Sequence, residues 1–175
     1  MMPPVHEPLP YLEGYSPAVL ARVRELLAQD QLGPHLAGRY AETHTVRNDK
    51  ALFQAALELK DRFLKTTAPL HKVLYDPRLQ LLSHALGTLT SVSRVQGSRL
   101  KASREIRVAS VFRDAPAAFL KMILVHELAH LKEREHSKAF YQLCTHMEPD
   151  YHQLEFDLRL YLTHREVTAG TSKEG

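Results

Sequence analysis

The sequence predicts an α+β protein in which a small, mostly antiparallel sheet packs on one central buried helix, with a helical part ahead of it. Three observations support this class. Residues 16–63 carry apolar side chains at helical spacing, residues 72–112 break into short extended segments, and residues 115–131 form a stretch that is apolar nearly all round.

The composition, 44% hydrophobic and 25% charged over 175 residues, is that of a chain able to build its own core. The net charge of +3 is spread over both signs with no block of five like charges, so the charge pattern does not support a nucleic-acid partner. No apolar run reaches membrane length, and "MMPPVHEPLP" has neither the basic start nor the apolar stretch of a leader. The expected location is therefore cytoplasmic, with no membrane partner. Cys144 is the only cysteine, which excludes a disulfide framework and a cysteine-based zinc ribbon. Any bound metal must rely on histidine and carboxylate.

Each element has a local reason. The proline-rich residues 1–15 read as an irregular arm, after which Ser16 caps a helix that has Pro17 in its first position and runs to about Ala28. Gly33-Pro34 is expected to stop it. A second helix begins at Asn48 or Asp49 and carries Leu52, Ala55, Ala56, Leu59 and Phe63 on one face. This helical part spans residues 16–70. Extended segments follow in "KVLYD", "LQLLSHALGTLTSV", "SRLKA" and "REIRVASVF", with Gly87 and Gly97 as bends. Asp114 is placed to cap the apolar helix, expected from Ala115 to about Arg134. Ser137 caps "SKAFYQLCTHM", and Asp150 with Gln153 opens "YHQLEFDLRLYLTH" as a capping box. The sheet, the apolar helix and these last helices make a domain over 71–165. Residues 166–175 read as a frayed tail.

Within the apolar helix, "ILVHELAHLKEREHS" places His126, Glu127 and His130 where burial without partners costs several kcal/mol. A metal ion removes that cost. His126 and His130, four apart, lie one above the other and can converge on one tetrahedral ion, while Glu127 sits beside that face as a general base for water at the metal. With eleven histidines, H-E-x-x-H arises by chance in about one such chain in twenty, so the helix context carries more weight than the bare pattern. The alternative is a pair of satisfied core histidines.

His136 is the natural third ligand. On a straight helix it would lie about 80° off the ligand face and about 15 Å further along the axis from His126. The chain must therefore leave the helix near "KERE" and fold back. His146, His152, Glu155 and Asp157 are rival third ligands, and His136 could instead be a surface or cap residue. Tyr141, His146, Tyr151 and His152 are polar enough to stabilise an oxyanion, and nothing in the sequence selects one.

"VHELAHLKEREHSKAFYQLCTHMEPDY" resembles the signature of the YgjP-like metal-dependent hydrolases, relatives of the SprT and WLM metallopeptidases. The resemblance covers roughly residues 84–163 and is specific at His126, Glu127, Leu128, His130, His136, Ser137 and Phe140. Upstream, only Arg94, Gly97 and Ser98 fit the family's R-W-G-S-C segment; Val95 and Gln96 intervene, and Arg99 stands where cysteine is frequent. The first eighty residues carry no recognisable motif.

This resemblance implies a zincin-like metallopeptidase fold for residues 71–165 and a Zn²⁺ cofactor on His126, His130 and His136, with Glu127 catalytic. It makes a zinc metallopeptidase acting on a peptide or protein the leading expectation, with Arg104 to Val111 as a sheet edge for strand addition. Two alternatives stand beside it. One is a metal-dependent nucleotide pyrophosphatase acting on UTP, an activity the family is associated with, although no glycine-rich phosphate cradle is present. The other is a SprT-related binding module with a structural zinc.

Overall fold

The computed structural model describes residues 8–79, 94–96 and 103–171. A short 3-10 turn at Pro10–Leu12 leads into helices α1 (Pro17–Ala28), α2 (Leu32–Arg39) and α3 (Asp49–Phe63). Strands β1 (Leu70–Asp76), β2 (Arg94–Gln96) and β3 (Ser103–Ala109) follow, then a 3-10 turn at Ser110–Arg113 and helices α4 (Ala117–Ala129), α5 (Lys138–Met147) and α6 (Tyr151–Thr171). No helix among the described residues is long and apolar enough to cross a membrane.

The capping chemistry acts as expected at three starts. Ser16 Oγ accepts from Val19 N at 3.3 Å, Asn48 Oδ1 from Ala51 N at 2.8 Å, and Ser137 Oγ from Phe140 N at 3.3 Å. Gly33-Pro34 does not act as a stop. The two residues lie in the first turn of α2, where a missing N–H costs nothing.

Asp114 is not a helix cap either. It pairs with Arg47 at 2.7 Å, and α4 opens at Ala117, whose N–H donates to Glu42 O at 2.9 Å. α6 runs on past His164 to Thr171 and so takes in part of the stretch expected to fray.

The sheet has the order β1-β3-β2. β1 and β3 are parallel, with Val73 opposite Ile106 and Tyr75 opposite Val108, and the short β2 is antiparallel to β3. The sheet is thus mixed, its longest pairing parallel, and the expectation of a mostly antiparallel sheet is corrected. Alternation buries Val73, Tyr75, Ile106 and Val108 on one face whichever way the strands run, so the pattern does not carry direction. Among the described residues β3 is also the central strand, paired on both sides at Arg104 and Glu105 and with β1 alone from Ile106 to Ala109. The segments 80–93 and 97–102, which include most of "LQLLSHALGTLTSV" and the Gly97-Ser98-Arg99 stretch, lie outside the described residues.

The main core joins α3, both long strands, α4, α5 and α6. At its centre, every residue of α4 from Met122 to Ala129 is buried. A smaller cluster, made by Leu12, Val23, Leu32, Leu36 and Leu160, seats α1 and α2 on α6. Burying each such Leu or Val stabilises by about 1.5–3 kcal/mol, so the N-terminal helices are held by packing and not by propensity alone.

Candidate metal centre

α4 ends at Ala129, earlier than the expected Arg134, and His130 forms its C-cap. Lys132 N and Glu133 N both turn back to Ala129 O, at 3.1 and 2.9 Å, and the chain reverses through residues 131–136. Arg104 Nη1 reaches across from β3 to Leu131 O at 3.1 Å, satisfying a carbonyl that the ended helix leaves free. Ser137 then starts α5. The order helix, turn, His136, helix is the one that the spacing of His136 from His126 demands if the two are to meet.

The reversal gathers His126, His130 and His136. One ring nitrogen from each lies within 4.8 Å of the others, the separation expected of donors that can share one ion. Burial falls along the set: His126 is 1% exposed, His130 is half-buried and His136 is exposed, so the cluster opens to solvent on the His136 side.

Each ring is held from outside. His126 Nδ1 lies 2.7 Å from the Tyr151 hydroxyl. His130 Nδ1 lies 3.0 Å from the Glu133 carbonyl, which can only accept, so Nδ1 carries the proton and Nε2 presents its lone pair. Phe140 packs under all three rings at centroid distances of 5.0, 4.6 and 4.9 Å.

Electrostatics favour neutral imidazoles. Burial, reinforced by the neighbouring His130 and His136, pushes His126 down to about 2, and burial likewise lowers His130 and His136. All three are therefore available as lone-pair donors near neutral pH. His126 Nε2 is buried with no hydrogen-bond partner, and His130 Nε2 meets His136 Nε2 at 3.1 Å. A cation among these nitrogens satisfies the first and replaces the second contact, so the residues present fit a metal ion. Glu127, 1% exposed, is the next residue on α4, about 100° around the helix from His126.

The rival third ligands are employed elsewhere. Asp157 accepts from the Tyr40 hydroxyl and from Gln153 Nε2. His146 sets its ring edge-on to Phe63, and His152 packs beside Tyr141. Glu155 sits on α6 near Arg159. None of these four belongs to the cluster formed by the three histidines. Tyr151, one of the residues considered for an oxyanion, is fully buried behind His126. The sequence carried no signal for that contact, which depends on how α6 crosses α4.

Comparison with known proteins gives two findings. A family model described as "YgjP-like, metallopeptidase domain" matches residues 75–161. The chain is also 57% identical to the UTP pyrophosphatase of Escherichia coli (strain K12) over 165 residues, 94% of this chain and 98% of that one. That similarity takes in the front half, where no motif is readable. No solved structure matches the chain.

Proposed function

The chain belongs to the YgjP-like family and is a hydrolase, and from that premise we propose that it is a metal-dependent pyrophosphatase that splits UTP into UMP and pyrophosphate. The observation that carries this reading is the 57% identity to a UTP pyrophosphatase across nearly the whole of both chains. At that similarity the relative's reaction is a better guide to the substrate than the H-E-x-x-H motif, which serves many hydrolases.

His126, His130 and His136 are the residues that would hold the ion. An all-imidazole donor set suits Zn²⁺ and disfavours Mg²⁺ or Ca²⁺, which take oxygen ligands. The ion, when bound, polarises a phosphoryl oxygen and lowers the pKa of water beside it. Glu127 would take the proton from water attacking the α-phosphorus and, as the bond to the α–β bridging oxygen breaks, pass it to the departing pyrophosphate. Phe140, Tyr151 and the Glu133 carbonyl keep the imidazoles in place. Around the exposed His136, the exposed Lys132, Arg134 and Lys138 supply cations that a triphosphate can meet, although Glu135 partly offsets them.

The test is product analysis with purified protein, UTP, the other nucleoside triphosphates and a peptide library, each with and without chelator. UMP and pyrophosphate in equal amounts, lost with chelator and restored by Zn²⁺, are the expected result. UTP that remains intact under all metals overturns the proposal. A second reading, a zinc metallopeptidase, draws on the family model's description and the H-E-x-x-H helix. Peptide cleavage without UTP turnover would establish it instead.

A further inference from the structure

The Tyr151 hydroxyl stands between two buried partners. On one side is His126 Nδ1 at 2.7 Å, the two rings lying 18° from parallel with centroids 6.3 Å apart. On the other is the buried Cys144 side chain, near enough to offer the hydroxyl a second partner. Tyr151 and Cys144 are both 0% exposed and His126 is 1% exposed, so water does not compete for these contacts.

A neutral imidazole has one ring proton, and a phenol can either give or accept a hydrogen bond. If Tyr151 donates to Nδ1, the proton of His126 must sit on Nε2, the buried nitrogen that has no hydrogen-bond partner. If Tyr151 donates to Cys144 Sγ, its oxygen accepts from Nδ1–H and Nε2 presents a lone pair. Only the second arrangement leaves His126 able to bind a metal through Nε2.

We propose that Tyr151, aimed by Cys144, is a positioning residue that fixes His126 as the Nδ1–H tautomer and so keeps Nε2 ready for the metal. Outer partners of this kind commonly alter metal affinity by about 10- to 100-fold when removed. The inference rests on the reading that His126 is a metal ligand, and the experiment separates the two.

Nitrogen-15 NMR of the metal-free parent protein reads the tautomer directly. The expected signal is a protonated Nδ1 on His126, and a protonated Nε2 overturns the proposal whether or not metal binds. Zn²⁺ affinity by chelator competition then compares variants. Tyr151→Phe and Cys144→Ala are each expected to lose about 10- to 100-fold, while Cys144→Ser, which keeps an acceptor, returns most of the affinity. Parent-like affinity in Tyr151→Phe overturns the proposal. Melting of the metal-free variants separates this loss from packing damage, and a variant that fails to fold leaves the decision to the parent's tautomer. A parent that shows Nδ1–H and binds no metal sinks the ligand reading alone.

Discussion

His130 and His136 face each other with their Nε2 atoms 3.1 Å apart, though one caps α4 and the other stands just before the cap of α5. Because the Glu133 carbonyl fixes the His130 proton on Nδ1, the two facing nitrogens need a proton or a cation between them. His136→Ala removes a donor from the set and is expected to weaken Zn²⁺ by more than the about 10- to 100-fold of a lost outer partner. Competition with a chromophoric chelator measures this. In the parent, ion at 100 times its Kd is expected to stabilise by about 2.7 kcal/mol, raising Tm by about 5–10 °C for a chain of this size. Affinity unchanged in His136→Ala would move the third ligand elsewhere.

Phe140 is fully buried and touches all three imidazoles with its ring, so it couples the core to the site. Phe140→Ala is expected to cost about 3–5 kcal/mol in denaturant unfolding of the metal-free protein. Metal affinity should fall as well, because the rings lose the surface that sets their angles. A variant with parent-like unfolding but loose metal would mean that Phe140 only orients ligands and that the core collapses to fill its place.

Glu155 gives a pH test away from the ligand set. Burial, opposed by the weaker pull of Arg159 and His152, raises its carboxyl above the usual glutamate value. Its folded-state pKa therefore exceeds its unfolded one. The associated stability is complete below the unfolded pKa and is lost as pH rises through the folded value. Glu155→Gln removes that loss, so its stability relative to the parent should be higher at pH 7 than at pH 4. Chemical denaturation of both proteins at the two pH values measures this difference. A gap that is larger at pH 4 would show the pair with Arg159, at 3.9 Å, outweighing burial.

Much of the fold is legible because its signals are local. Ser16, Asn48 and Ser137 mark helix starts by hydrogen bonds to residues three places on, and a single chain segment contains all that is needed. The triad is legible for the same reason: four-residue spacing puts His126 and His130 on one face, and the distance to His136 forces a turn that Ser137 resolves. What was missed depends on partners far along the chain. Asp114 looks like a cap but is drawn to Arg47, and strand direction follows from how residues 70–76 and 103–109 meet rather than from either alternation. Tyr151 is one of four polar residues between which the sequence does not choose, and its place behind His126 is set by how α6 packs.

The remaining prediction concerns Glu127, which separates a catalytic site from a structural one. Glu127 is buried on α4 beside the cluster, and His136 leaves that cluster open to solvent. A zinc ion held by these three neutral donors alone would keep a fourth position for water or substrate, as catalytic zinc sites do. Glu127→Gln preserves shape and hydrogen-bonding capacity but cannot accept the proton from attacking water. It should bind Zn²⁺ with parent affinity while kcat for UTP falls about 100- to 10,000-fold. If Glu127 instead braces a closed site, the same change loosens the metal. Measuring affinity first and turnover second distinguishes these outcomes. A variant that holds zinc normally and still turns over UTP at the parent rate would remove Glu127 from the chemistry and leave the proton with a different base.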